Sequence, residues 1–200
     1  MNNWILLTIL YAIFVAIFEI AKKKAVQKNS IYEVLAFFSL IAFLLTFLIT
    51  KDAFKIDYSY LPIIFIKSSI IVIAWILGVI VLKKMQISLY SMVKISSIIF
   101  SVLLSYVFLG EKITIITLIG MNIVILGLIL VNKTANKEKS KEKSMILIVL
   151  LLISCLLNSI SAIIDKKVLL YITSGQLQFW FLLFLTIFYW IILIIKKKEN

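Results

Sequence analysis

Residues 106–130 read YVFLGEKITIITLIGMNIVILGLIL, two apolar runs separated by a single Gly-Glu-Lys turn. Gly110 is predicted to end the first helix, because glycine adopts a left-handed backbone at no steric cost. Glu111 is predicted at the start of the next helix, where the helix dipole favours a negative charge. Gly120 and Gly127 are predicted to share a face on which another helix packs closely. The stretch therefore predicts two membrane helices joined by a tight turn.

The rest of the chain repeats this pattern of long apolar runs. Of its 200 residues, 64% are hydrophobic and 15% are charged, and the mean hydropathy is +1.17. A soluble domain of this size needs far more polar surface, whereas a helix satisfies its own backbone polar groups inside lipid. The sequence thus predicts an all-α, polytopic transmembrane helical bundle in a lipid bilayer. About seven spans are expected: Trp4–Ala21, Val34–Thr50, Leu61–Leu82, Ile87–Leu109, Ile113–Val131, Met145–Ile164 and Leu177–Ile195.

Lysine is the only basic residue type, and its distribution predicts the orientation of the bundle. Fourteen lysines flank one side of the predicted spans and five flank the other, within a net charge of +12. The protein is expected in the cell membrane. Because cytoplasmic flanks carry the excess of lysine, the charged linker 133–144 and the C-terminus are expected in the cytoplasm and the N-terminus outside. Lysines at the ends of apolar runs are typical of membrane flanks, so no nucleic-acid partner is expected.

The composition argues against catalysis. The chain has no histidine and one cysteine, Cys155, so the commonest metal ligand and general base is missing. We therefore expect no enzyme activity, no metal site and no cofactor. Cys155 lies in an apolar run and is expected to be a small buried hydrophobe. The sequence has no ATP-binding loop, so a transport activity would draw on a gradient or on facilitated diffusion.

Glu19 interrupts the first apolar run one helical turn before Lys22 and Lys23. It shares a helical face with Ala12 and Ala16, and alanines four residues apart allow another helix to approach closely. Glu19 is therefore expected to point into the bundle. Two interpretations stay open. One is an interfacial ion pair with Lys22 and Lys23, worth about 0.3 kcal/mol, and the other is a working carboxylate that exchanges a proton against a substrate.

The predicted fourth span carries a polar stripe within an arc of about 80°, at roughly 100° per residue. Its members are Tyr90, Lys94, Ser97, Ser101 and Ser105. Such a stripe faces a neighbouring helix or a wet cavity, and serines alone serve helix packing equally well. Lys94 lies about two turns inside the segment, which favours a substrate pathway lined by the stripe.

Four other polar or aromatic side chains fall inside predicted spans. Lys67 lies close to a segment end and is expected to snorkel to the interface. Trp75 lies near the middle of its span, as packing or as an aromatic wall for an organic substrate. Asn122 and Asn158 are expected to hydrogen-bond across helices as structural links.

The stretch quoted first resembles the EamA-type transporters of the drug/metabolite transporter superfamily, in which a Leu-Gly-Glu-Lys-like turn precedes a glycine-bearing helix. The passage LKKMQISLYSMVKISSIIFSVLLSYVFLGEK (82–112) is similar to the region where that family's fourth helix lines the central cavity. The resemblance implies a five-helix repeat over residues 1–132 and the first two helices of an inverted second repeat over 145–200. Relatives usually carry two complete repeats, two cytoplasmic termini and a proline near the position of Ser97. This chain departs from that pattern, because seven spans and an outside N-terminus are predicted and no proline lies in the fourth span.

The resemblance implies a membrane transporter, namely a secondary transporter or exporter that moves small organic metabolites or drugs by alternating access. We expect its substrate pathway to include the polar stripe together with Glu19 and Trp75. One alternative is a truncated or accessory membrane subunit without transport activity of its own. Another is a proton-coupled exporter similar to small multidrug resistance proteins, working as a homodimer, in which Glu19 corresponds to their first-helix carboxylate. The expected partners are a small-molecule solute, the lipid bilayer and, in that alternative, a second copy of the chain.

Overall fold

The computed structural model describes residues 3–135 and 141–198, and these residues form eight α-helices and two short 3-10 turns, Ala53–Lys55 and Tyr58–Tyr60. The predicted all-α membrane bundle is confirmed. The helices are α1 Asn3–Lys28, α2 Ile31–Ile49, α3 Leu61–Lys84, α4 Ile87–Lys94, α5 Ser96–Leu109, α6 Ile115–Ala135, α7 Lys141–Val168 and α8 Ser174–Lys198.

Six segments are long and apolar enough to cross a membrane, and they correspond to six of the seven predicted spans. They are Ile5–Lys28, Ile31–Ile49, Tyr58–Lys84, Ile87–Leu109, Met145–Val168 and Ser174–Lys198. The remaining predicted span coincides with α6, a helix of 21 residues. Its apolar part among the described residues, Ile115–Gly127, is shorter than the other six.

Helix α3 is the centre of the bundle, because it packs against both α7 and α8 and also contacts α1, α2 and α4. Of the six membrane-spanning segments, that of α3 is the most buried inside the bundle and that of α1 is the least buried. The main core joins α2, α3 and α8 around Leu35, Ile64, Leu185 and Tyr189. Most of α1 presents apolar side chains outward, as expected for a helix surrounded by lipid.

Helices α3 and α7 approach each other closely at Gly78. Gly78 has so little space that an added Cβ would lie 3.1 Å from the Ser154 hydroxyl oxygen. At the same crossing, Ser154 Oγ donates a hydrogen bond of 2.7 Å to the carbonyl oxygen of Ala74. Small residues on α3 thus bring the two backbones together, and a serine of α7 links them.

The Gly-Glu-Lys turn only partly follows the prediction. Gly110 ends α5 with φ 66°, as predicted. Glu111 does not begin the next helix, because α6 starts at Ile115 and the Thr114 hydroxyl accepts a hydrogen bond of 3.2 Å from the Thr117 N–H, as an N-cap does. Glu111 lies instead in the connection between α5 and α6, where it forms an ion pair with Lys166.

The close packing predicted at Gly120 and Gly127 is not formed among the described residues. Both glycines are exposed, and an added Cβ at either position would have no neighbour within 4 Å. Helix α6 packs only lightly, against α4 and α5. With so few neighbours on α6, glycine there does not shorten any helix contact.

The fourth span is not one regular helix, because a break at Ile95 separates α4 from α5. The Ile95 N–H is shared between the carbonyl oxygens of Ser91 and Met92, at 3.3 and 3.2 Å. This local tightening is of the 3-10 type, which inside a long helix often marks a hinge. It occurs without a proline, two residues before Ser97.

Helices extend into both ends of the predicted charged linker. Helix α6 runs to Ala135 and α7 begins at Lys141, while the middle of the linker, 136–140, lies outside the described residues. The division of the chain into two repeats stays a prediction.

Side-chain contacts show which helix ends lie together. At one end, which we call the lysine-rich end, Lys23 of α1 donates to the Met85 carbonyl oxygen, and Lys83 donates to the Asn29 carbonyl oxygen over 3.4 Å. At the opposite end, Trp180 Nε1 donates to the Ala53 carbonyl oxygen over 2.9 Å. The spans alternate in direction as predicted, and their orientation in the cell stays a prediction.

The crossing of α3 with α7 yields a stability prediction. We expect Gly78→Val to lower the free energy of unfolding by about 2 kcal/mol, because the added methyl groups push α7 away from α3. The measurement is thermal unfolding of the purified protein in detergent. Gly120→Val is the matched control and should leave stability unchanged or raise it, since open space surrounds Gly120. Equal losses in both variants would show that the crossing is not tight.

Candidate functional site

A cavity of about 320 Å³ lies inside the bundle and is lined by residues of α1, α2, α3, α4, α5 and α7. Four of its walls carry side chains that the sequence analysis selected: Glu19 of α1, Trp75 of α3, Tyr90 and Lys94 of α4, and Ser97 of α5. Polar groups from separate parts of the chain thus meet at one place at membrane depth.

The charged centre of the cavity is a cluster of Glu19, Lys22 and Lys94, which we call the Glu19 cluster. Lys94 Nζ donates to Glu19 Oε1 over 2.5 Å. Lys22 Nζ lies 3.1 Å from Glu19 Oε1 and 3.0 Å from Oε2. Glu19 is only 8% exposed, and a buried carboxylate is tolerated only when it is paired. The two lysines supply that pairing.

The cluster contains part of the ion pair expected for Glu19, and the exchange of a proton against a substrate stays a prediction. The pair with Lys22 exists, but the expected pair with Lys23 does not, because the Lys23 ammonium is bound to the Met85 carbonyl oxygen. Glu19 points into the bundle and reaches Lys94 on another helix. Glu19 therefore links α1 to α4, whereas an ion pair between neighbours on one helix would link no second helix.

The predicted polar stripe divides into two parts. Tyr90, Lys94 and Ser97 line the cavity, and the Lys94 ammonium lies 5.6 Å from the centre of the Tyr90 ring. Ser101 and Ser105 are not among the lining residues. Ser101 Oγ donates to Ser159 Oγ over 3.1 Å, so Ser101 joins α5 to α7.

The reason for this division lies on α7. Ser159 Oγ lies 3.0 Å from the carbonyl oxygen of Ser97 and 3.0 Å from that of Cys155. Helix α7 therefore covers the stripe beyond Ser97. On the N-terminal side of Ser97, beyond the break at Ile95, Tyr90 and Lys94 face the cavity.

Aromatic rings form the apolar wall of the cavity. The Phe18 and Phe38 rings are 4.8 Å apart between centroids, and Phe38 and Trp75 are 6.0 Å apart. Trp75 also meets the edge of Phe181 at 6.5 Å, so it contributes both to packing and to the wall. The sequence analysis did not select Phe18 or Phe38, because phenylalanine is common in every span of this chain.

A second ion pair inside the bundle joins Lys67 of α3 to Asp165 of α7. Lys67 is 4% exposed, and its ammonium lies 4.0 Å from the centre of the Phe181 ring. The expectation that Lys67 snorkels to the interface is therefore wrong. The available signal was Asp165, a carboxylate near the end of the span over Met145–Val168 that the sequence analysis passed over.

The next residue of α7 forms another pair, since Lys166 contacts the Glu111 carboxylate. Both side chains are about half exposed. Adjacent residues of α7 thus bind α3 and the connection between α5 and α6, which holds the opposite end of the bundle together.

The two asparagines do not link helices. Asn122 Nδ2 donates to the Leu118 carbonyl oxygen over 2.9 Å, and Asn158 Nδ2 donates to that of Ser154 over 2.7 Å. Each amide thus bonds its own helix, four residues back. Asn158 nevertheless lines the cavity, as does Cys155, which is buried as expected.

The described residues contain no group of histidine, cysteine, aspartate or glutamate side chains that could hold a metal ion. The Glu19 cluster brings two ammonium groups to its carboxylate, a charge pattern that differs from that of a cation site built of oxygen ligands.

Comparison with known proteins gives one family. The model of the EamA-like transporter family matches residues 2–133 of the chain. Neither a curated protein nor a solved structure gives a match.

The buried ion pair between α3 and α7 yields a second stability prediction. We expect Asp165→Asn to lower the free energy of unfolding by about 3 kcal/mol, because it leaves the buried Lys67 ammonium without its counter-ion. Thermal unfolding in detergent measures the loss. Lys166→Gln breaks the half-exposed pair with Glu111 and should cost less than about 1 kcal/mol.

A double variant separates charge from packing at the same place. Lys67→Met combined with Asp165→Asn removes both charges and should recover most of the stability that Asp165→Asn loses. If the double variant is as unstable as Asp165→Asn, the loss does not come from an unpaired charge.

Proposed function

Because this chain belongs to the EamA-like transporter family, a family of the drug/metabolite transporter superfamily, we propose that it moves a small organic solute across the membrane through the cavity around the Glu19 cluster. The observation that carries the proposal is the meeting of Glu19, Lys94, Tyr90 and Ser97 in one cavity among membrane-spanning helices. Ionisable groups at membrane depth are costly, and they mark solute or ion pathways.

Alternating access requires a part of the bundle that can move, and α1 is suited to this. Among the described residues, α1 packs mainly against α2 and α3, and these contacts are few. Its link to α4 is the Glu19–Lys94 contact, next to the break at Ile95. A bound solute that competes with Glu19 for Lys94 would weaken this contact, release α1 from α4 and open the cavity.

The opposite end of the bundle serves as the closed side in this arrangement. The Lys67–Asp165 and Lys166–Glu111 pairs tie α3, α7 and the α5–α6 connection there, and Trp180 ties α8 to the segment after α2. At the lysine-rich end, two lysine ammonium groups donate to carbonyl oxygens. Because ion pairs tie the opposite end, we propose that the solute enters from the lysine-rich end, which the lysine distribution predicts to lie on the cytoplasmic side of the membrane.

We propose a transporter without enzyme activity. The side chains of the cavity include one carboxylate and no histidine, and its two lysines neutralise that carboxylate. Such a set binds and releases a solute without a general base held free for proton abstraction.

The direct test is solute flux in liposomes that contain the purified full chain. Radiolabelled tetraphenylphosphonium, phenylalanine, 3-phenylpropionate and glucose serve as a cation, a zwitterion, an anion and a neutral sugar. We expect at least one to cross faster than in protein-free liposomes under an imposed gradient. If all four cross at the protein-free rate, whatever gradient is imposed, the proposal is contradicted.

Cysteine labelling tests the position of the pathway independently of the solute. In a Cys155→Ser background, we expect Ser97→Cys to react with a membrane-impermeant methanethiosulfonate reagent, because position 97 lines the cavity. Ile98→Cys is the matched control, since the Ile98 side chain points out of the bundle and is 52% exposed toward lipid. We expect the reaction at position 97 to be severalfold faster. Equal rates, or a faster reaction at position 98, would place the aqueous pathway elsewhere.

A further inference from the structure

We infer that the cavity binds solutes that carry one negative charge next to an aromatic or bulky apolar group, with Lys94 as the residue that binds the anionic group. The inference rests on the proposed function, because it names the solute class for the same cavity.

The charge balance of the cavity comes first. The lining residues of formal charge are Glu19, Lys22 and Lys94, which sum to one positive charge. An unbalanced charge inside a membrane protein is costly, since little water is present to solvate it. A solute with one negative charge removes that imbalance, a zwitterion leaves it unchanged, and a cation doubles it.

The two lysines differ in their exposure and in how many contacts their ammonium groups already make. Lys22 faces both oxygens of Glu19, lies 4.8 Å from the centre of the Phe18 ring and has a side chain that is 15% exposed. The Lys94 side chain is 44% exposed, and within the described residues its ammonium hydrogen-bonds only Glu19 Oε1. An ammonium group has three N–H donors. Lys94 therefore keeps donors for an anionic group while it holds Glu19.

Two neutral donors line the same cavity as Lys94. Within the described residues, the Tyr90 and Ser97 hydroxyl groups make no hydrogen bond, and both residues line the cavity. Hydroxyl groups donate to a carboxylate as well as to neutral acceptors. One ammonium and two hydroxyl groups on adjacent helices make a site for a carboxylate.

The aromatic wall and the cavity volume limit the rest of the solute. One wall of the cavity is formed by three neighbouring rings, those of Phe18, Phe38 and Trp75. An aromatic ring of a solute packs well against such rings. A volume of about 320 Å³ is at the lower end for sites that bind small molecules. The cavity thus suits a single ring with a short carboxylate-bearing chain.

The competing solute class is an organic cation bound by Glu19. Such a cation would have to replace Lys22 or Lys94 at the carboxylate, and the displaced ammonium would remain in the cavity. Three positive charges would then share one carboxylate. The arrangement of the lysines therefore disfavours a cation.

Four probes that share one phenyl ring test the inference by binding, without a requirement for transport. They are 3-phenylpropionate, phenylalanine, 3-phenylpropylamine and 3-phenylpropanamide, and calorimetric titration of the purified full chain at neutral pH gives their affinities. We expect 3-phenylpropionate to bind at least about tenfold more tightly than each of the others. A factor of this size corresponds to one hydrogen bond to a charged group. Tighter binding of the amine, or no binding of any probe at millimolar concentration, would overturn the inference.

Variants locate the anion site. Lys94→Gln should weaken 3-phenylpropionate binding by at least about tenfold, while Lys94→Arg should largely retain it. Lys112→Gln removes an equal charge from an exposed position outside the cavity and should leave binding unchanged. Equal effects of Lys94→Gln and Lys112→Gln would overturn the assignment of Lys94.

Glu19→Gln separates the two solute classes. It frees both lysines, so 3-phenylpropionate binding should be retained or become tighter, whereas a site for cations would lose binding. Weaker 3-phenylpropionate binding in a folded Glu19→Gln variant would contradict the inference. If the anion binds but no solute crosses liposomes, the proposed function fails while the binding site stands. If a cation is transported instead, the inference fails and the transporter stands.

Discussion

A carboxylate inside a membrane bundle has to be neutralised by groups in direct contact with it, and this requirement governs the structure. Glu19 meets it with one lysine from its own helix and one from α4, which is 75 residues away along the chain. The same contact joins α1, which packs lightly elsewhere, to the cavity-lining part of the fourth span. The charge balance of the cavity and the proposed movement both depend on this one cluster.

Within the described residues, charged side chains pair at two places inside the bundle, and their surroundings differ. Lys67 is buried under the Phe181 ring and pairs with the partly exposed Asp165, and neither residue lines the cavity of the Glu19 cluster. The Glu19 cluster faces open space and carries one more lysine than carboxylate. The first arrangement suits a fixed link between helices, and the second suits an exchangeable partner. Similar residue types thus occur in two different surroundings, and only the Glu19 cluster has the open space that the proposed binding requires.

The sequence alone predicts the spans and the main cavity groups, because apolar length and intramembrane charge are local signals. It correctly predicts Gly110 as a helix end and places Glu19 inside the bundle. It fails where the outcome depends on a distant partner. A lysine stem can reach the interface or a counter-ion, so the position of Lys67 depends on Asp165. Likewise, Ser101 resembles Ser97 in the sequence, but Ser159 of α7 binds Ser101 and takes it out of the cavity lining.

The most direct test of the account is a double-mutant cycle on Glu19 and Lys94. Glu19→Gln, Lys94→Gln and the combined variant are compared with the unchanged protein by unfolding in detergent. Because the two side chains are in contact and the Glu19 carboxylate is buried, the account predicts a coupling energy of about 1 kcal/mol. A coupling energy within about 0.3 kcal/mol of zero would contradict it, since that value is typical of independent residues.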